Sequence, residues 1–347
     1  MCNRCRRRIG SPASKRRVIA IVGPTAVGKS LLSMQVAGEL GAEIVSVDSA
    51  MVYRGMDIGT AKPTAADRQR VPHHMIDVAE PTQNVTVAEF QQGARAAIES
   101  ILDSGKLAVL VGGSGLYFRA VVDPLEFPST NPEVRRNLEI QAMQQGGEKL
   151  YRRLLELDPQ AAERIHPSNE RRTVRALEVI ELTGRRFSSF RTAWDRWTSI
   201  YDLVVAGLRF PRTEMDERIN ARVDWMMEEG WLEEVRALEE SGRWSATSEQ
   251  ALGYAQLRDH LRGHSSLEEA IEMTKRQTRR FARRQLRWFG ADPRVRWFDH
   301  DPGAAFSYLT SRQPTTGHQP TERIQASKPC LIRSAEAKRR QPTTERA

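Results

Sequence analysis

Residues 23–30 read Gly23, Pro24, Thr25, Ala26, Val27, Gly28, Lys29, Ser30, which is the spacing G-x4-G-K-S. Glycines at both ends of that spacing allow a tight loop whose backbone N–H groups converge on an anion. The lysine adds a point charge and the serine a hydroxyl for Mg2+. Such a loop holds a di- or triphosphate without specifying which. Asp48 closes the next apolar run, within Ser46-Val-Asp48-Ser49-Ala50-Met51-Val-Tyr53-Arg54-Gly-Met-Asp57-Ile-Gly-Thr60-Ala-Lys62-Pro63. A carboxylate beside a phosphate loop can bind Mg2+ through water or act as general base on an incoming nucleophile, and an Asp followed by Ser49 can also cap a helix. The polar loop after it lacks the D-x-x-G of a GTPase switch. A second glycine-rich turn, Val111-Gly-Gly-Ser114-Gly-Leu-Tyr117, suits either a binding edge or plain close packing.

For these residues to meet, they must lie at the carboxyl edge of one parallel sheet. The apolar runs 18–22, 44–47 and 107–111 are short and bounded by Gly, Ser or Asp, as strands buried on both faces should be. Stretches 31–40 and 87–102 between them have helical spacing. From Pro124 a Pro-rich break leads into four helical stretches, 134–144, 147–157, 159–164 and 171–183, and no strand pattern returns until 201–208. Helices over 212–229, 231–241, 250–261 and 267–289 and a last strand over 295–298 complete the chain. The expected fold is therefore α/β: a P-loop kinase-like parallel sheet with flanking helices over 17–123 and 199–310, with an all-helical insertion domain over 124–198. Residues 1–16 and 311–347 have no apolar periodicity and are expected to be disordered tails.

The formal net charge is +9, but residues 1–17 contribute +7 and 311–347 contribute +5, so the body is slightly acidic. Within that body, residues 275–296 carry nine Lys/Arg against the single acid Asp292. Arg276, Arg280, Arg283 and Arg287 recur at steps of 4, 3 and 4, which makes one cationic stripe on a helix, while Phe281, Gln285 and Trp288 fall on another line. With no acids interleaved, the stripe reads as a track for a nucleic-acid backbone. No eighteen-residue apolar run exists, so no membrane span is expected. Cys2, Cys5 and Cys330 form neither a disulfide framework nor a zinc site and suit a reducing cytoplasm. His73 and His74 read as loop structure near the substrate. The acidic stretch 228–240, paired through Arg236, reads as surface, and Phe190, Trp194 and Trp197 as a small core of the insertion.

Taken in order, GPTAVGKS, SVDSAMVYRGMDIGTAKP, VPHHMIDVAEP, LVGGSGLYF and RALEVIELTGR closely resemble the tRNA dimethylallyltransferases (tRNA isopentenyltransferases) over about residues 18–300. The second motif is the most specific, since simple P-loop kinases lack it. The resemblance implies transfer of a dimethylallyl group from dimethylallyl diphosphate to N6 of adenosine 37, beside the anticodon of certain tRNAs, by a cytoplasmic monomer. By the same resemblance, residues 23–30 hold the diphosphate and Ser30, a Thr in many relatives, contacts Mg2+ or the bridging oxygen. Asp48 takes the N6 proton, and Ser49, Ala50 and Met51 line the flipped adenine. Ser114, usually Thr, contacts tRNA, and Arg222, in Arg218-Ile-Asn-Ala-Arg222, meets the diphosphate. Arg172 and Arg175 match the R-x-x-R that follows H-P-N-D in relatives, although Asn169 stands where the acid usually is. Ala255 and Gln256 replace the usual Lys-Glu after Gly253-Tyr254.

The chemistry that this implies is coherent. An exocyclic amine is a poor nucleophile and an allylic diphosphate departs only when its growing charge is met, so a cationic cradle must face a base. A stacked loop base must also be flipped to reach it. Three rivals remain at this stage. A small-molecule P-loop kinase leaves the second motif without a role, a prenyltransferase of free adenine nucleotides needs no cationic helix, and a non-catalytic RNA-binding module needs no phosphate loop.

Overall fold

A computed structural model describes residues 15–191, 194–242 and 244–311. The chain alternates as the apolar runs predict: β1 (Arg17–Val22), α1 (Lys29–Leu40), β2 (Glu43–Ser46), a short α2 (Ala65–Arg70), β3 (His73–His74), α3 (Val87–Asp103), β4 (Ala108–Gly112) and α4 (Gly115–Val122). Four helices follow, α5 (Pro132–Gln145), α6 (Gly147–Leu157), α7 (Pro159–Arg164) and α8 (Glu170–Thr183). The chain then returns through β5 (Asp202–Arg209), α9 (Arg212–Glu228), α10 (Trp231–Glu240), α11 (Tyr254–Leu261), α12 (Leu267–Gly290), β6 (Val295–Asp299) and α13 (Pro302–Thr310).

The six strands form one parallel sheet in the order β3-β2-β4-β1-β5-β6. Both faces are covered, and β1 shows why its sequence is apolar throughout. Val18, Ala20 and Val22 enter one core cluster, with Phe90, Phe118 and Phe289 from the helices, while Ile19 and Ile21 enter the other, with Leu32 and Val36 of α1. β1 lies in the middle of the sheet, so the loop after it is flanked by the ends of β4 and β5. Helices α5 to α8 close on a separate cluster that includes Leu138, Leu150, Leu154, Val174 and Leu177. No helix among the described residues is long and apolar enough to cross a membrane.

Four expectations are corrected. His73 and His74 form an edge strand rather than a loop, and the His74 ring is tied at 2.6 Å to Glu43, at the amino end of β2 and so at the opposite end of that strand from Asp48. Trp194 and Trp197 do not build a core for the insertion. They stack on Arg119 of α4, whose guanidinium lies 4.2 Å from the Trp197 ring and also bonds the carbonyls of Trp194 and Arg196, while Phe190 lies under Arg185. Arg16, assigned to the N-terminal tail, pairs with Glu99 and Asp103 of α3. The helix expected from 250 starts at Tyr254, after a 3-10 turn over Ser248–Gln250. Residues 1–14 and 312–347, with Cys2, Cys5 and Cys330, lie outside the described residues.

Candidate active site

The loop of residues 23–30 follows β1, and Gly23 is required by space as well as by torsion. Gly23 has φ +138°, and a Cβ there would sit 2.5 Å from the Leu208 carbonyl oxygen of neighbouring β5. Gly28, at φ +89°, opens α1, whose first turn has no acid, so the helix presents its positive end to the loop. Ala26 holds a left-handed φ of +65°, a strained torsion for a residue with a Cβ. Three side chains fix this shape, one from the loop itself and two from distant parts of the chain. Lys29 donates to the Pro24 carbonyl at 2.6 Å, Arg218 of α9 donates to the Ala26 carbonyl at 3.1 Å, and Gln285 of α12 accepts from the Thr25 N–H at 2.9 Å. Val27 is buried in the core beneath, while Ser30 is exposed in the first turn of α1.

Asp48 stands beyond the end of β2, and its carboxylate accepts from the Ala50 N–H at 2.8 Å. No helix begins there, so it is not a helix cap. Its charge acts on both Lys29 and Arg222, as expected of groups at one edge of a parallel sheet. Burial pushes the Lys29 ammonium down to about 7, aided by repulsion from Arg222 and opposed by Asp48. Burial lowers Arg222 as well, again opposed by Asp48. A bound diphosphate would supply the negative charge that keeps both desolvated groups, Lys29 and Arg222, in their cationic forms. Burial, Tyr53 and Asp48 push the Tyr117 phenol up to about 12, which keeps it neutral.

The loop carrying Ser49, Ala50 and Met51 is braced from below. Val52 accepts from the Ala79 N–H at 2.9 Å and Met51 from the Asp77 N–H at 3.1 Å, so VPHHMIDVAEP supplies the backing for SVDSAMVYRG. The buried Lys62 ammonium binds the Tyr53 carbonyl, Asp57 at 2.7 Å and Asp77 at 2.6 Å. The carboxylate of Glu234, in the stretch expected to be plain surface, accepts from the N–H groups of Asp57 (2.8 Å), Ile58 (2.7 Å) and Gly59 (3.3 Å) and from the Tyr254 hydroxyl (2.6 Å). That expectation is corrected: Glu234 clamps the loop. Ser49 is left exposed, with Ala50 and Met51 half-buried behind it.

The second glycine-rich turn abuts the first. Ser114 precedes α4, where its side chain makes no capping bond, and Trp288 of α12 rests on Gly115. The Gly113 carbonyl accepts from Gln285 at 2.9 Å, so one amide joins both turns.

Helix α12 presents Arg276, Arg280 and Arg287 to solvent and leaves Arg283 half-buried. The stripe is less isolated than its sequence suggests, because α9 brings acids to it. Arg283 lies 3.7 Å from Asp216, Lys275 lies 2.7 Å from Asp224, and Arg294 is held in a network with Asp123 and Asp292. Arg172 and Arg175 sit on α8. Arg172 is exposed, whereas Arg175 binds the carbonyls of Pro128 and Ser129 and the buried Glu178. Asn169 caps α8 by accepting from the Arg172 N–H at 3.2 Å, the bond that an acid would make, and the Gln256 side chain accepts from the Gly253 N–H at 2.7 Å.

Sequence reasoning overlooked Gln285, Glu234 and Arg218 as parts of the site. For Gln285 a signal existed, since it falls on the buried line of α12 between Ala282 and Phe289, where a polar residue requires partners. For Glu234 and Arg218 there was none, because the loop groups that they bind are backbone groups more than 170 residues away.

The family model described as IPP transferase matches residues 51–292 of the chain. The chain is 53% identical over 290 residues to the tRNA dimethylallyltransferase of Thermobifida fusca, covering 82% of this chain and 90% of that one. It is 51% identical over 282 residues to the enzyme of that name from Streptomyces coelicolor, covering 81% and 89%. Among solved structures it is similar to the tRNA isopentenylpyrophosphate transferase from Bacillus halodurans, with 42% identity, a TM-score of 0.63 and coverage of 86% of this chain and 96% of that one. A eukaryotic dimethylallyltransferase acting on tRNA superposes with a TM-score of 0.73 at 25% identity, covering 87% and 81%.

Proposed function

The chain belongs to the IPP transferase family, the tRNA dimethylallyltransferases, and on that premise we propose that it uses dimethylallyl diphosphate to alkylate N6 of adenosine 37 in the tRNA anticodon loop. Its activity is transfer of a dimethylallyl group to an adenosine of tRNA. The observation that carries the donor assignment is the cradle of residues 23–30, with desolvated Lys29 and Arg222, faced by the carboxylate of Asp48.

In this reading, the loop N–H groups, the N-terminus of α1, Lys29 and Arg222 hold the diphosphate. They meet the negative charge that grows as its bond to the allylic carbon breaks. The N6 lone pair forms the new N–C bond, Asp48 takes the N6 proton, and diphosphate leaves. Ser49, Ala50 and Met51 line the flipped adenine, on a loop that Lys62 and Glu234 keep rigid. Tyr117 lies near Asp48 as a neutral phenol. Ser114, Arg172, Arg175 and the α12 arginines contact the tRNA, with Arg175 limited by its bonds to Pro128, Ser129 and Glu178.

Mg2+ fits this arrangement as a companion of the diphosphate. No cluster of three or more His, Cys, Asp or Glu side chains among the described residues can hold a metal, whereas Ser30 offers an exposed hydroxyl beside the cradle, as suits an ion bound mainly by phosphate oxygens and water. When bound, Mg2+ supplies further charge neutralisation at the leaving group. Action as a monomer in the cytoplasm completes the proposal. The deciding experiment offers dimethylallyl diphosphate, ATP, AMP and unmodified tRNA together and weighs the products. Dimethylallylated tRNA is expected, whereas prenylated AMP or consumption of ATP with phosphate transfer would replace this reading.

A further inference from the structure

Helix α12 has two faces with different duties. Half-buried Arg283 and exposed Arg287 stand two residues either side of Gln285, about 200° around the helix. Gln285 therefore points inward, where it is only 6% exposed. Its amide makes one bond in each direction: the oxygen accepts from the Thr25 N–H of the phosphate loop and the nitrogen donates to the Gly113 carbonyl of the second turn, both at 2.9 Å. The fit leaves no slack, since a Cβ on Gly113 would fall 2.2 Å from the Gln285 amide nitrogen. One turn further along α12, Trp288 lies on Gly115, so the contact is a seam rather than a point.

We propose that Gln285 is a positioning residue: it sets the distance between RNA carried on the outer face of α12 and the allylic diphosphate held by the loop on its inner side. The argument rests on the function proposed above. The two substrates contact separate elements, the RNA on α12 and the diphosphate on the 23–30 loop, and the Gln285 amide bonds both the loop and the turn that carries Ser114. An amide suits this place because a donor and an acceptor are needed on one planar group. A leucine offers neither, and a glutamate offers the Thr25 acceptor but sets a second oxygen against the Gly113 carbonyl. Misplacement of reacting groups by about 1 Å costs on the order of 10²-fold in rate while each substrate still binds.

The test uses the full chain as Gln285→Leu and as the near-isosteric Gln285→Glu, the latter chosen because it preserves volume and packing. Three quantities are measured: the dissociation constant of an anticodon stem-loop RNA, that of inorganic pyrophosphate, and the single-turnover rate with both substrates saturating, normalised to the folded fraction. The expected result is both constants within about threefold of the unaltered chain and a single-turnover rate lowered about 10²-fold in both variants. A merely structural role would change the folded fraction and leave the normalised rate. Rates within threefold of the unaltered chain in either variant overturn the proposal, as does weakened binding with a normal saturated rate. If the unaltered chain itself transfers nothing to tRNA, the function proposed above fails instead.

Discussion

Lys29 makes the affinity of the cradle depend on pH in a direction that can be worked out. Its ammonium is lowered to about 7 by burial and by Arg222, against an ordinary value of 10.5. The free site is therefore half-charged near pH 7 and holds a neutral amine above it. A bound diphosphate, placing several negative charges beside Lys29, restores the ammonium, so binding above pH 7 draws a proton from solution. By linkage, affinity should be nearly flat below pH 7 and fall about tenfold per pH unit above it, or about 75-fold between pH 7.5 and 9.5. Titration calorimetry with a non-reactive allylic diphosphate analogue, with a chelator present and in buffers of different ionisation enthalpy, should show about 0.9 proton taken up per site at pH 8. Lys29→Arg, whose guanidinium stays charged throughout, should bind with a flat profile and no uptake. A flat profile in the unaltered chain, or the same slope in Lys29→Arg, would refute the assignment of Lys29 to the diphosphate.

Asp48→Ala should leave pyrophosphate affinity nearly intact and slow single-turnover transfer about 10²- to 10⁴-fold, the usual contribution of a placed base. Collapse of pyrophosphate affinity with normal residual chemistry would make Asp48 a metal ligand instead. Changing Arg276, Arg280, Arg283 and Arg287 together to Gln should flatten the slope of log RNA affinity against log salt by about 2–3, each lost single-strand phosphate contact counting about 0.7. Arg283, partly engaged by Asp216, should contribute least. Deleting residues 1–14 and 312–347 should flatten the slope far less, and the opposite ranking would move the RNA grip to the tails. Glu234→Ala removes the acceptor of three loop N–H groups and of the buried Tyr254 hydroxyl, which should cost about 1–3 kcal/mol in chemical denaturation and raise the KM for tRNA. A loss below about 0.5 kcal/mol would show that the loop holds its shape without the clamp.

What the sequence determined by itself is what local rules decide. The glycine and lysine spacing of residues 23–30 defines a tight glycine-bounded loop with a lysine at its end, because the torsions and the charge belong to neighbouring residues. The apolar runs place that loop at the end of a central strand, because a strand buried on both faces, like β1, leaves a continuous apolar signature. The position of Asp48 at the same edge as that loop was legible because every strand of a parallel sheet ends at the same edge. The tertiary structure alone decided which distant groups complete the site. The amide of Gln285 and the carboxylate of Glu234 bind backbone N–H groups, which every residue but proline carries, so no pattern in the sequence names their partners. Charge counting failed for the same reason along residues 275–296. The acids that temper the stripe, Asp216 and Asp224, lie on α9, about fifty or more residues earlier, and Coulomb's law depends on distance in space, not on separation along the chain.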